Sequence, residues 1–355
     1  MNALVIGGTG FIGSNLVRHL IAKGRKVKIF SRKSASLRNL EGVSYTSLIG
    51  DITDEPSLLQ AMEGCDIIYN LAACGSSLKK DRELRLKINV AAAGKIARAA
   101  RKTGGVRLVH VSSVAAVGTP GHGEIADETF IFNRHHDHYA CTKHLGEQAV
   151  LEEVNRGLEA VIACPGNVVG FHGMKEAQLN TFKRISERKM RVYPPGGVCI
   201  TDIDDLVSGL ELSGKRGTPG KRYILGGYNV SFRKYFSEIA AATDGAPPKI
   251  RLPRTFLTLM GACIEPVFRF LGKDPFVSKV TCDMISTDLF YSSDLAMRKI
   301  GYSISDFRDT IRKAAKAVQK KRYNSELSLP PHTVYTGQEE NQTSSFEDMT
   351  ASNRS

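Results

Sequence analysis

Residues 4–13 read Leu4-Val5-Ile6-Gly7-Gly8-Thr9-Gly10-Phe11-Ile12-Gly13: an apolar run, a glycine-rich turn, and the start of an amphipathic stretch that continues to Lys23. Glycines at this spacing suit a chain that must turn sharply, approach a pyrophosphate closely, and pack a helix tightly on a strand. The helix N-terminus that follows offers free N–H groups and a partial positive charge. A Gly-x-Gly-x-x-Gly pattern alone is weak, but here it lies between a strand-like and a helix-like segment, the context the motif requires. The stretch therefore predicts a dinucleotide site formed by Gly7, Thr9, Gly10, Phe11, Ile12 and Gly13.

Outward from this turn, short apolar runs alternate with helical patterns. Strands are expected at 2–7, 27–31, 44–49, 67–71, 107–112 and 160–164, with amphipathic helices at 11–23, 84–101 and 139–156. Such alternation predicts an α/β fold, a Rossmann doubly wound parallel sheet covered by helices on both faces. From Phe171 the pattern becomes irregular and mostly helical (175–188, 232–243, 255–271, 293–300, 305–320), with a short strand-like return at 222–225. We expect a dinucleotide-binding domain over 1–170, with 198–230 returning to it. A smaller, mostly helical substrate lobe occupies 171–320, and 321–355 is a polar tail too poor in apolar residues to offset chain entropy.

Cofactor choice is read at the end of the second strand, Val27-Lys28-Ile29-Phe30-Ser31-Arg32-Lys33. An acidic residue there binds the adenosine ribose hydroxyls of NAD, whereas arginine accommodates the 2′-phosphate of NADP. Ser31 replaces the acid and Arg32 follows, which favours NADP(H) over NAD(H). Asp51, followed by Ile52, closes the third strand and is placed to bond the adenine amino group. Leu71, Ala72 and Ala73 end the fourth, where small residues let a cofactor lie against the sheet edge.

Tyr139 and Lys143 stand four apart on one helix face, and Ser113 ends the fifth strand, 26 positions before Tyr139. A free tyrosine ionises near about pH 10, and a neighbouring cation lowers such a value by ~1–3 units. Lys143 together with the positive nicotinamide ring is thus expected to bring Tyr139 toward the working range, and Lys143 to bond the nicotinamide ribose. Ser113 would hold a substrate oxygen against Tyr139. Together they read as a Ser-Tyr-Lys triad for hydride transfer at a secondary alcohol or ketone.

Composition narrows the class. The chain has 355 residues, 42% hydrophobic, with 49 Lys+Arg against 36 Asp+Glu, a net +13. The last 35 residues hold three basic and five acidic side chains, so +15 lies on the remainder. Candidate partners for that charge are an anionic cofactor or substrate, a membrane surface, or nucleic acid. Without a binding module or aromatic-interleaved basic stretch, nucleic acid ranks last. Seven scattered cysteines without Cys-x-x-Cys argue against a disulfide framework or structural zinc. With no signal-like start and no long apolar span, the expectation is a cytoplasmic protein, with a homodimer as its candidate assembly. His135-His136-Asp137-His138 reads as a pocket rim rather than a metal site, because adjacent histidines cannot all converge on one ion. Asp127 and Glu128 read either as a border of the same pocket or as a solvated turn. The 255–271 segment carries apolar residues at 256, 259, 260, 263, 264, 267 and 271 with Arg251, Arg254, Arg269 and Lys273 nearby. It is either a packed helix or a weak contact for a membrane surface.

Taken together, these motifs resemble the extended short-chain dehydrogenase/reductases, the NAD(P)-dependent epimerase/dehydratases, and within them the dihydroflavonol-reductase-like and hopanoid-associated sugar-epimerase branch. Further carriers are Arg38-Asn39-Leu40-Glu41-Gly42, Asn70, Asn89-Val90, Lys221–Gly227, Asp204-Asp205, Tyr291–Asp294 and Gly301-Tyr302. The resemblance implies Ser113, Tyr139 and Lys143 as catalytic, Pro165 and Val168 beside the cofactor, and Asn167 facing a substrate, either a sugar, nucleotide-linked or not, or a small ketone. One departure is Cys164, where many sugar-nucleotide epimerases have arginine. The rival reading, a cofactor-sensing or assembly protein on the same fold, is disfavoured because both Tyr139 and Lys143 are present.

Overall fold

A computed structural model describes residues 1–76, 78–270 and 279–327. In chain order its strands and helices are β1 (Asn2–Ile6), α1 (Phe11–Ala22), β2 (Lys26–Ser31), β3 (Thr46–Ile49), α2 (Glu55–Met62), β4 (Ile67–Asn70), α3 (Arg82–Arg85), α4 (Ala92–Thr103), β5 (Arg107–Val111), α5 (His138–Val154), β6 (Ala160–Pro165) and β7 (Asn167–Val169). They continue with α6 (Glu176–Ser186), β8 (Val192–Tyr193), β9 (Gly197–Asp202), α7 (Ile203–Arg216), β10 (Arg222–Leu225), β11 (Tyr228–Ser231), α8 (Phe232–Ala242), β12 (Ile250–Arg251), α9 (Arg254–Phe270), α10 (Lys279–Ile285), β13 (Asp288–Leu289), α11 (Asp294–Ile300) and α12 (Phe307–Leu327).

The main sheet has seven strands in the order β10-β6-β5-β4-β1-β2-β3, every pair parallel. Alternation along β1 explains why both faces are covered. Ala3 and Val5 point into a core with Leu16, Val17 and Leu20 of α1 and Leu206 and Leu210 of α7. Leu4 and Ile6 point the other way, to Leu58 and Met62 of α2 and Ile96 of α4. The chain order reverses between β1 and β4, so the crevice at their C-terminal ends is the topological switch point where such sheets take ligands.

The return at 222–225 is β10, which joins the main sheet beside β6. The C-terminal half also carries strands that periodicity did not reveal. β11, β9 and β13 form a small sheet with β7 on β9, and β12 pairs with β8. Strands of two to six residues are too short to show a period. The last helix runs to Leu327, past the compositional boundary at 320. The rest of the expected tail, 328–355, lies outside the described residues.

The expected single helix at 84–101 is interrupted. Between α3 and α4 the segment Leu86–Ala91 widens into a π turn, a feature that often marks functional sites. Among the described residues no helix is long and apolar enough to cross a membrane.

Candidate active site

The glycine turn has the geometry its sequence implied. Gly7 adopts φ +82°, and a Cβ there would meet the Leu71 carbonyl carbon at 2.8 Å. A Cβ on Gly13 would lie 2.2 Å from the Gly7 carbonyl oxygen, so only glycine lets α1 start this close to β1. Gly10 is the N-cap of α1, and no side chain caps the helix. Its own Cβ position meets nothing nearer than 3.5 Å. The turn is therefore a bare backbone cradle, suited to an anion at the helix N-terminus. Asn39 Nδ2 donates to the Thr9 carbonyl at 3.2 Å and steadies the loop.

At the far side of the crevice, Gly50 N–H donates to the Ser31 carbonyl at 3.1 Å, holding the ends of β2 and β3 side by side. This brings the exposed Arg32 near Asp51. Asp51 accepts from the Thr53 N–H and hydroxyl, both at 2.8 Å, and these bonds, ahead of the Lys87 and Arg32 charges, hold its carboxyl below the usual range. Leu71 and Ala72 follow β4 directly: Leu71 N–H bonds the Ile6 carbonyl at 2.9 Å, and Ala72 N–H bonds Asn70 Oδ1 at 3.1 Å.

Ser113, Tyr139 and Lys143 come together where β5 ends and α5 begins. Asp137 caps α5 through the Ala140 N–H at 3.1 Å, which fixes where the helix starts and so where Tyr139 points. Tyr139 hydrogen-bonds the Ser113 side chain, yet burial outweighs that bond and raises its phenol above the ordinary value. Lys143 Nζ, only 2% exposed, donates to the Val111 carbonyl at 2.8 Å. In the protein by itself the Lys143 ammonium turns to the strand, and desolvation is the largest effect on the Tyr139 phenol.

Two side chains that sequence reading left without a role complete the arrangement. Asn89, in the π turn, is 2% exposed. Its Oδ1 accepts from Cys74 N–H at 2.8 Å, and its Nδ2 donates to the Cys74 carbonyl at 3.2 Å and to Thr142 Oγ1 at 3.0 Å. A Cβ on Gly146 would lie 2.1 Å from the Asn89 carbonyl oxygen, so the widened turn and the glycine of α5 fit each other. His110, on β5, is buried with Nδ1 3.1 Å from Asn70 Nδ2. Burial, then the Lys143 charge, pushes its pKa down to about 3, so the imidazole under the site is neutral.

Lys143 is backed by charge. Glu147, one turn along and fully buried, takes Arg222 of β10 through Nε at 3.0 Å and also through Nη2, and lies 3.5 Å from Cys164 Sγ. Cys164 is thus fully buried against Glu147. Burial lowers the Lys143 pKa from 10.5 to about 8, with Glu147 opposing the shift. The unfolded chain then holds this proton more tightly than the folded one, so stability rises with pH between those values. At about pH 7 the buried charge costs on the order of 3 kcal/mol. Lys143→Met is accordingly expected to raise stability by about 1–3 kcal/mol at neutral pH and to flatten the alkaline slope. Urea titrations at neutral and alkaline pH check this; a less stable variant at neutral pH would contradict it.

The remaining predicted residues make the following contacts. Pro165 ends β6, paired in register with Leu225. Gln178 Nε2 donates to the Val168 carbonyl at 2.7 Å and lies 3.3 Å from Asn167 Oδ1. His138 Nδ1 accepts from Arg85 Nε at 3.0 Å, and Arg85 also holds the Ser76 and Leu78 carbonyls, tying the loop after β4 to α5. Asp127 accepts from Thr129, and Glu128 accepts from the Ile224 N–H at 2.8 Å, holding β10. Among the described residues no three His, Cys, Asp or Glu side chains group as metal ligands. A separate depression of about 330 Å³, lined by Asn15, Phe171, Asp202 and Lys313 among others, contains none of the predicted site residues.

A parallel sheet with a bare phosphate cradle at its switch point defines a dinucleotide-binding α/β protein. The model of the NAD dependent epimerase/dehydratase family matches residues 3–218, and the chain belongs to that family. It is 32% identical over 327 residues to the "Putative dihydroflavonol 4-reductase" of Synechocystis sp., covering 90% of this chain and 95% of that one. It is 29% identical to sterol demethylase protein B of Methylococcus capsulatus, covering 76% and 83%. The crystal structure of gox2253 superposes with a TM-score of 0.81 at 29% identity, covering 90% and 98%. UDP-glucose 4-epimerase of Thermotoga maritima shares the fold, with a TM-score of 0.74 at 18% identity over 91% of this chain and 100% of that one. The protein is an NAD(P)-dependent enzyme of the epimerase/dehydratase type.

Proposed function

We propose that this enzyme is an NADP(H)-dependent ketone reductase, with Tyr139, Ser113 and Lys143 as its catalytic group. The observation that carries the reading is the placement of Tyr139 against Ser113 beside a buried, charge-backed Lys143 at the switch point. The bound nicotinamide would supply or accept the hydride. Tyr139 would transfer the proton at the substrate oxygen, Ser113 Oγ would orient that oxygen, and Lys143 would hold positive charge beneath them. Because burial keeps the phenol protonated at neutral pH, Tyr139 stands as a proton donor, which is what reduction requires.

Gly7, Thr9, Gly10, Phe11, Ile12 and Gly13 would hold the pyrophosphate. Asp51 and Ile52 would meet the adenine side, and Leu71, Ala72, Ala73, Pro165 and Val168 would flank the nicotinamide half, with Asn167 facing substrate. For the substrate we favour a ketone on an apolar skeleton. Relatives include a 2-alkyl-3-oxoalkanoate reductase of Shewanella oneidensis, 26% identical over 325 residues. The segment leading to α5 also exposes Ile125 and Ile131. A panel of alkyl and polycyclic ketones against nucleotide sugars, followed by NADPH consumption, tests the proposal; turnover of none of the ketones overturns it.

Arg32 carries the cofactor preference. Arg32→Ala should weaken NADPH binding by about tenfold, the loss of one charge-assisted contact, and leave NADH binding nearly unchanged. Fluorescence titration with each cofactor reads this, and an equal loss for both would assign Arg32 to the rim alone.

A further inference from the structure

The apolar stripe of α9 faces outward. Leu257 is 1% exposed and Gly261 is buried, with a Cβ on Gly261 reaching 2.9 Å from Lys279 Cα of α10. That seats the 257/261 face inward. Phe256 and Leu259, members of the stripe seen in the sequence, are 51% and 63% exposed, and Cys263 continues their line. Residues 265–271 of that stripe, with Lys273, have side chains outside the described residues.

Two residues before α9, the β8–β12 pair carries further exposed apolar side chains. Ile250 stands opposite Val192 in register, and both are exposed. The Lys249 and Ile250 N–H groups donate to the Arg191 carbonyl, each at 3.1 Å, which locks the two segments together. The locked segments and the start of α9 carry Lys189, Arg191, Lys249, Arg251 and Arg254, all five exposed. Neither 188–193 nor 245–264 contains an acidic residue. Glu187, at the margin, pairs with Lys189 at 2.8 Å.

We propose that the β8–β12–α9 corner docks the enzyme on an anionic lipid bilayer surface. The cations match headgroup phosphates, while the exposed aliphatic and aromatic side chains match the acyl boundary just beneath, the two-part complement of an interfacial site. A second copy of the chain fits less well, since a two-fold contact would oppose cation to cation. Nucleic acid would satisfy the charge but leave Phe256, Leu259 and Ile250 without a use. The proposal stands independently of the cofactor chemistry.

Flotation of the full chain with phosphatidylcholine vesicles, and with mixed phosphatidylcholine–phosphatidylglycerol vesicles, tests it. The expected result is binding to the mixed vesicles only. Each neutralised cation should weaken the partition by about fivefold, so Arg191→Gln/Arg251→Gln/Arg254→Gln should weaken it by roughly 100-fold. Phe256→Ser/Leu259→Ser should also release the protein while leaving NADPH affinity and thermal midpoint close to wild type, which separates docking from misfolding. The proposal is overturned if the wild type floats with neither vesicle, or if both variants still float. Self-association in sedimentation that Phe256→Ser abolishes, or equally tight salt-sensitive binding to duplex DNA, would overturn it too.

Discussion

Tyr139→Phe is expected to lower turnover by roughly 10²–10⁴-fold, the range that a positioned acid–base group supplies, with NADPH affinity little changed. The substitution removes one oxygen from a partly buried ring whose orientation is already set by the Asp137 cap of α5, so the fold should not move. The pH profile gives the sharper readout. Burial holds the Tyr139 phenol above its ordinary value, so the protonated form persists through neutral pH. Ketone reduction, which consumes that proton, should run flat across neutral pH and fall only on the alkaline side. The reverse oxidation needs the phenolate and should rise with pH. Ser113→Ala should cost less, since it removes orientation but leaves the proton donor. Equal turnover of Tyr139→Phe and wild type on every active substrate would remove Tyr139 from the chemistry.

How much of this was legible in the sequence depends on the range over which each residue acts. The glycine turn was legible because its requirement is local: a positive φ at Gly7 and helix contact at Gly13 leave a pattern within seven residues. The parallel sheet covered by helices followed from alternation for the same reason, whereas its strand order did not. Asn89 and His110 were not given roles, because each acts across the fold. Asn89 reaches Cys74 and Thr142, and His110 meets Asn70 on the neighbouring strand. A helix-period break at Asn89 was the available signal, but periodicity over 84–101 passes through a π turn almost unaltered. The protein's own effect on Tyr139 was not legible for a physical reason too. Sequence spacing put Lys143 on the same helix face but said nothing of desolvation, which proved the larger effect on the phenol. On α9 the stripe was visible, yet periodicity alone cannot tell an inward from an outward apolar face. Leu257 and Gly261, which the stripe omitted, turn out to be the inward pair.

Arg222→Met should destabilise the protein by about 3–5 kcal/mol, the cost of stranding one partner of a buried ion pair. Glu147 is fully buried, and Arg222 reaches it through both Nε and Nη2. Without the guanidinium the carboxylate keeps only Cys164 at 3.5 Å and the charge of Lys143. For a chain of this size each kcal/mol moves the thermal midpoint by ~2–4 °C, so a drop of roughly 10 °C is expected. The double variant Arg222→Met/Glu147→Gln provides the control, because removing both charges replaces a stranded ion with a neutral pair. It should recover at least half of the loss, and a double variant as unstable as Arg222→Met would mean that packing, not charge, holds β10 to α5. Recovery of stability need not bring back activity. With Glu147 gone, nothing opposes the desolvation of Lys143 from that side, and its ammonium should lose a proton at lower pH than in the wild type. The double variant is therefore expected to fold near normally yet lose turnover, most steeply on the alkaline side.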